Sequence, residues 1–345
     1  MTSHGPTPRD LLVRLIQGDD MSSAETERLF GQLMDGEVGE MITAALLTAL
    51  AAKGEAVQEI AGAAAAMRRR LIGIPTQRTD VVDTCGTGGD GKGTFNISTA
   101  AAIVAAAAGV PVAKHGNRSV SSQSGSADVL EALGVEIEMD PVRAGKALDQ
   151  LGIAFLFAPR LHPAMQQVMP VRRELGVRTI FNILGPLSNP AGARRQVLGV
   201  YADRLVPLMA EVLGELGCDH ALVVRGADGL DELTTTASTS VAEVRGDRVD
   251  HFHLNPQDLG FDRARPEDLL GGDPSHNAEL FQLVLNGVAG PLLDITLLNA
   301  GAAIYVAGLC QSLQEGVDRA RQAIESGAGA AKLDEMRHYS PSAGR

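Results

Sequence analysis

Basic residues are in short supply in this sequence: 30 Lys and Arg stand against 42 Asp and Glu, a formal charge of −12 at pH 7. Such a field repels polyanions and argues against general binding of nucleic acid or acidic membrane, so any phosphate site must be local. Cysteine is scarce too. The three present, Cys85, Cys218 and Cys310, are far apart and without CxxC spacing, which suggests neither a disulfide framework nor a zinc site and fits a reducing cytoplasm. No apolar run reaches membrane-spanning length; the nearest, from Ile97 to Ala113, is interrupted by Ser, Thr, Gly and Pro. Asp10 and then Asp19–Asp20 precede any long apolar run, unlike a signal peptide. Aromatic residues make up 3% of the chain, with no Trp. What is there, 45% hydrophobic and 21% charged residues over 345 positions, is globular composition with room for a large domain and a smaller one.

The chain has two textures. From Pro8 to about Leu71, apolar residues recur at helical spacing in four groups, led by Leu11, Leu29, Val38 and Val57, which predicts four short helices. Ser22 with Glu25 has capping-box spacing, and Gly18, Gly36 and Gly54 punctuate the ends. No active-site chemistry is visible there, so a packing or pairing role is expected. After Ile74–Pro75, short β-branched runs alternate with glycine-rich turns and alanine-rich helices, the pattern of an α/β sheet with crossovers. The expected strands are Val81–Asp83, Val110–Ala113, Val135–Glu138, Ala154–Phe157, Val197–Val200 and Ala221–Val224. Sheets of this kind bind ligands beyond the carboxyl ends of their strands.

Three such places stand out. After the first strand, Cys85 to Asn96 holds five glycines between Gly86 and Gly93, followed by an expected helix Ala100–Ala108 that Asn96 or Ser98 could cap. Backbone N–H groups of such a loop, together with a helix N-terminus, cradle phosphate or pyrophosphate. A dinucleotide fingerprint fails here because the second strand ends in Lys114–His115 instead of an acid. A P-loop fails because Gly93 stands where the magnesium-binding hydroxyl belongs. After the second strand, Lys114, His115 and Arg118 are followed by Ser119, Ser121, Ser122, Ser124 and Ser126, a local anion site ahead of a helix Val129–Leu133. After the last strand, Asp231–Glu232 suits a hard divalent cation bridging to substrate phosphates.

Together, Gly86-Thr87-Gly88-Gly89-Asp90, Asn96-Ile97-Ser98-Thr99, Lys114-His115-Gly116-Asn117-Arg118, Ser124 to Asp128, Arg178 to Asn182, Gly185-Pro186-Leu187 with Asn189–Pro190, and Asp231–Glu232 resemble the anthranilate phosphoribosyltransferases, in that family's order and over about residues 8 to 335. The resemblance implies attack of the anthranilate amine on C1 of phosphoribosyl pyrophosphate, with Mg²⁺, in tryptophan biosynthesis. It implies a phosphoribosyl pyrophosphate site made of Gly86, Gly89, Asp90, Thr94, Asn96, Ile97, Ser98, Thr99, Lys114, His115, Gly116, Asn117, Arg118, Ser119, Val120, Ser121, Ser122 and Ser126. Anthranilate would meet Asn117 and Arg172, with Gly86, His115, His162, Gly185 and Pro186 lining its channel, and the metal would sit on Ser98, Asp231 and Glu232. A bidentate Arg172–carboxylate pair is the physical counterpart of the anthranilate role. A pyrimidine-class nucleoside phosphorylase shares the layout but lacks the full Lys114–Arg118 motif and the acidic pair.

The implied fold is a small N-terminal helical domain plus a large α/β domain with a mainly parallel central sheet. Residues 1–74, with about 170–182 returning, would form the first and 75–169 with 183–345 the second; a cytoplasmic homodimer paired through the helical domain is the expectation. Catalysis would proceed by positioning and charge stabilisation. The aromatic amine is already neutral at pH 7, so no general base is named.

Overall fold

The structure, a computed structural model, describes residues 5–119 and 123–339. Four helices open the chain: α1 (Pro8–Ile16), α2 (Ser23–Met34), α3 (Glu40–Lys53) and α4 (Val57–Arg68). Their starts are set by side chains. Thr7 with Asp10 and Ser22 with Glu25 exchange hydrogen bonds with each other's backbone N–H groups, satisfying donors that the first turn leaves orphaned. Buried Glu59 does similar work, accepting from Met21 N, Ala56 N and Lys53 Nζ.

The remainder is built on a seven-stranded sheet: β1 (Val82–Asp83), β2 (Val112–Gly116), β3 (Ile153–Phe157), β4 (Arg195–Gly199), β5 (His220–Gly226), β6 (Thr239–Arg245) and β7 (Arg248–Leu254), in the order β3-β2-β1-β4-β5-β6-β7. The first five in that order are parallel; β6 and β7 add antiparallel. α5 (Ile97–Ala107) and α6 (Ser126–Ala132) follow β1 and β2, and α7 (Pro141–Leu151) precedes β3.

Both faces of the sheet are covered, as a parallel sheet requires. Alternate strand residues serve opposite cores. Val82, Val112, Phe155 and Leu222 face α5 and the helices Pro291–Val306 and Leu313–Glu325, whereas Leu198, Ala221 and Val223 share a cluster with α2–α4 and the helix Leu205–Glu215. That second cluster takes in Val168, Val171, Ile180 and Phe181, and the Phe30 and Phe181 ring centroids lie 5.4 Å apart.

Three expectations need correction. Val135–Glu138 joins no ladder: Val135, Ile137 and Met139 point inward and Glu136 and Glu138 outward along an extended link, so the alternation records sidedness without pairing. The hairpin β6–β7 was not foreseen, although its two-residue turn carries Gly246 at φ +57°. Helices expected to start at Ala100 and Val129 start three residues earlier, at Ile97 and Ser126, which brings their N-terminal turns onto the glycine and serine loops.

Candidate active site

Strand order reverses at β1: the chain steps outward to β2 and β3, then resumes on the other side with β4 and β5. Loops leaving the strand ends there diverge and open a crevice. β1 ends in Asp83, whose buried carboxylate accepts from Cys85 N at 3.0 Å, His115 N at 3.2 Å and Asn189 Nδ2 at 2.7 Å. Burial raises its pKa to about 6 against the pull of Asn189 and Lys114. Asn189 also donates to Ala113 O, so this pair braces the crevice floor. Asp83, Cys85 and His115 bring possible ligand atoms within 4.8 Å of one another. Because the Asp83 oxygens already serve three N–H donors and burial pushes the Cys85 thiol far up, this cluster is a brace and not a metal centre.

Above it lies the glycine loop. Gly88, Gly89, Gly91 and Gly93 all have positive φ, which only glycine adopts freely and which lets consecutive N–H groups turn to one side. Thr87 N donates to Gly199 O at 2.8 Å, anchoring the loop to β4. Gly199 has no room for a side chain, since a Cβ there would lie 1.5 Å from Asp231 O. The loop and the acidic turn are thereby held in contact.

Asp231 and Glu232 arrive from the turn after β5. Burial and the neighbouring Asp90 carboxylate raise the pKa of Asp231; burial and Asp231 raise that of Glu232, which also meets the Ser98 hydroxyl. Asp90 reaches back to them, accepting from Asp231 N at 3.4 Å and from Lys92 N at 3.0 Å. Buried Lys114 stands opposite, its Nζ 3.4 Å from Ser98 Oγ and 3.3 Å from Thr84 Oγ1. Three crowded carboxylates and a hydroxyl form a set of hard oxygen donors that costs energy without a cation, so the residues fit Mg²⁺.

On the other flank, His115 Nε2 and His162 Nε2 are 3.1 Å apart. Burial, then the neighbouring His162, holds His115 down at about pKa 3, while burial holds His162 at about 4. Arg172, on the helix Met169–Leu175, lies 5.5 Å from the Phe181 ring centroid and 3.6 Å from Met169 Sδ, and makes no ion pair among the described residues. Burial lowers its pKa. Arg173 is exposed, so the structure distinguishes the two arginines where sequence spacing did not.

The remaining candidates divide. Gly86, Gly89, Asp90, Ser98, Lys114 and Gly116 gather at the ends of β1 and β2. Asn96 heads α5 without a side-chain capping bond; it donates instead to Ser124 O and accepts from Asn277 Nδ2 at 2.9 Å. Thr94 pairs with Leu270 in an isolated bridge. The side chains of Ile97 and Thr99 are buried, leaving backbone for any ligand. Asn117 and Ser126 are tied together through Asn117 O, and Ser119 N donates to Asp128. Arg118 is engaged with Asp128 and Glu131. Gly185 and Pro186 form a short turn on the histidine side, with Pro186 O accepting from Gln196 Nε2. Val120, Ser121 and Ser122 lie outside the described residues. Sequence reasoning missed Asn277 and the bracing role of Asp83; Asn277 sits 181 positions from its partner with no local motif to flag it.

Fold and site define a two-domain glycosyl transferase: residues 78–330 match the family described as "Glycosyl transferase family, a/b domain" and residues 9–71 the "Glycosyl transferase family, helical bundle domain". Within that class the chain belongs to the anthranilate phosphoribosyltransferase family. The anthranilate phosphoribosyltransferase of Rubrobacter xylanophilus is 52% identical over 327 residues, 94% of this chain and 95% of that protein. The crystal structure of the Thermus thermophilus anthranilate phosphoribosyltransferase superimposes with a TM-score of 0.90 at 47% identity, covering 94% of this chain and 98% of that one. The Saccharomyces cerevisiae enzyme, solved in complex with PRPP and Mg, has a TM-score of 0.87 at 27% identity, covering 95% of this chain and 96% of that one.

Proposed function

We propose that this protein transfers the phosphoribosyl group of phosphoribosyl pyrophosphate to the amine of anthranilate, releasing pyrophosphate and N-(5-phosphoribosyl)anthranilate, in L-tryptophan biosynthesis. The observation that carries this reading is the crowding of Asp90, Asp231 and Glu232 beside the positive-φ glycine loop at the strand switch point. Mg²⁺ held by Ser98, Asp231 and Glu232 would neutralise charge on the pyrophosphate leaving group. Loop N–H groups from Gly86 to Asp90, the N-terminal turn of α5 and Lys114 bind that end of the donor. Arg172 grips the anthranilate carboxylate, because a partly buried guanidinium with no ion pair among the described residues lacks the acidic partner that anthranilate provides. Asn117, His115 and His162 border the acceptor, and closure around both substrates excludes water.

Residues 1–74 with about 170–182 form the helical unit, a reading supported by the packing of Phe181 on Phe30 of α2, ring centroids 5.4 Å apart. Pairing of two chains through this unit is supported by Val13, Ile16 and Met41, apolar and exposed on α1 and α3. A cytoplasmic site fits three free thiols.

The test mixes purified protein, anthranilate, phosphoribosyl pyrophosphate and Mg²⁺, and follows loss of anthranilate fluorescence with pyrophosphate release as a second readout. Turnover abolished by EDTA is the expected result. Folded protein that releases no pyrophosphate would overturn the reading.

A further inference from the structure

Arg178 is exposed, outside every role assigned above, and yet engaged on both sides. Its guanidinium lies over the Tyr201 ring, 4.2 Å from the centroid, and donates from Nη2 to Gly89 O in the glycine loop. Tyr201 is itself fixed to that loop: its N–H donates to Thr87 Oγ1 at 3.1 Å. The loop is therefore held at Thr87 by the end of β4 and at Gly89 by an arginine resting on the next residues of the same segment.

The grip on Gly89 has a directional consequence. Every peptide bond in the described chain is trans, so the Gly89 carbonyl and the following Asp90 N–H point in opposite directions. Drawing the carbonyl toward Arg178 turns the Asp90 N–H away from it. Meanwhile the Asp90 carboxylate is engaged by Lys92 N and Asp231 N. Gly89, at φ +81° and without a Cβ, offers little resistance to rotation on its side of this peptide, so an outside contact helps to set it.

We propose that Arg178 is a positioning residue that fixes the Gly89–Asp90 peptide so that the loop presents N–H, and not carbonyl oxygen, to the pyrophosphate of the donor substrate. This rests on the donor site assigned under the proposed function. An inward carbonyl would repel the anion where an N–H attracts it. The planar fork of arginine both donates and stacks, a combination lysine lacks.

The experiment compares Arg178→Ala, Arg178→Lys, Tyr201→Leu and the control Arg173→Ala in steady-state kinetics. Arg178→Ala should raise KM for phosphoribosyl pyrophosphate and the pyrophosphate inhibition constant in parallel, each about tenfold, while KM for anthranilate changes less than about twofold. Arg178→Lys should recover only part of the loss, Tyr201→Leu should weaken the same two constants, and Arg173→Ala should match the parent. Added guanidinium should partly restore Arg178→Ala. Equal losses for both substrates, or unchanged pyrophosphate inhibition in a folded variant, would overturn the proposal. Absence of turnover in the parent protein would instead remove the functional reading on which it rests.

Discussion

His115 and His162 meet through their Nε2 atoms at 3.1 Å, so one imidazole must donate and the other accept. A doubly protonated pair has no such bond. Both rings are held neutral, His115 to about pKa 3 by burial and by His162, and His162 to about 4 by burial, against an ordinary value of 6.5.

The unfolded chain therefore takes up protons on these rings at a pH where the folded chain does not, and the stability they carry is lost as pH falls from 6.5 toward the folded values. Each such ring steepens the decline by up to about 1.4 kcal/mol per pH unit inside that window. Urea unfolding of the parent and of His162→Asn at pH 7, 6 and 5 measures the difference. The variant should lose less stability on acidification; parallel curves would refute the assignment.

The acidic pair runs the other way. Burial and Asp90 raise the pKa of Asp231, and burial and Asp231 raise that of Glu232, so their ionisation in the fold costs stability as pH rises through and above the ordinary carboxylate range. Asp231→Asn with Glu232→Gln should keep or slightly raise the unfolding temperature at pH 8 while lowering turnover at least about a hundredfold. Mg²⁺ should stabilise the parent more at pH 8 than at pH 5 and leave the double variant unmoved. Thermal melts with and without the ion check this, and unchanged turnover at limiting Mg²⁺ would defeat it.

Arg172→Ala should raise KM for anthranilate by about tenfold or more, with a smaller change for phosphoribosyl pyrophosphate, because a bidentate carboxylate contact is lost on the acceptor side alone. Its side chain rests on Phe181 and Met169 and makes no ion pair among the described residues, so the fold should lose little. Initial rates with each substrate varied in turn decide it; equal effects on both would remove the clamp.

Parallel strands were legible where burial on both faces leaves a plain apolar run, as in Ala221–Val224 of β5. The expected Val110–Ala113 overlaps β2 only at Val112 and Ala113, because that strand runs on through Lys114, His115 and Gly116, which the sequence pattern placed after it. β6 and β7 were not legible, since a half-exposed antiparallel edge intersperses Glu243, Arg245, Asp250, His251 and His253 among its apolar positions and breaks up the run. The phosphate loops could be read from spacing because glycine and hydroxyl density is a local property. Arg172 owes its place to three-dimensional burial, and local spacing could not separate it from Arg173. Asn277 and Asn96 meet only after the helix Pro274–Leu285 docks, so nothing near either residue announces the bond.

Gly199 carries a consequence for how this enzyme can vary. The obstacle facing a side chain there is the backbone oxygen of Asp231, which no rotamer change can move aside. A Cβ at Gly88, by contrast, would meet nothing within 4 Å. Of these two glycines, the one at 199 works as a spacer of zero length between two loops, and substitution there would shift the acid turn away from the loop that it serves. Relatives with another residue at that position would need a remodelled turn at Asp231, making the two sites a pair that changes together or not at all.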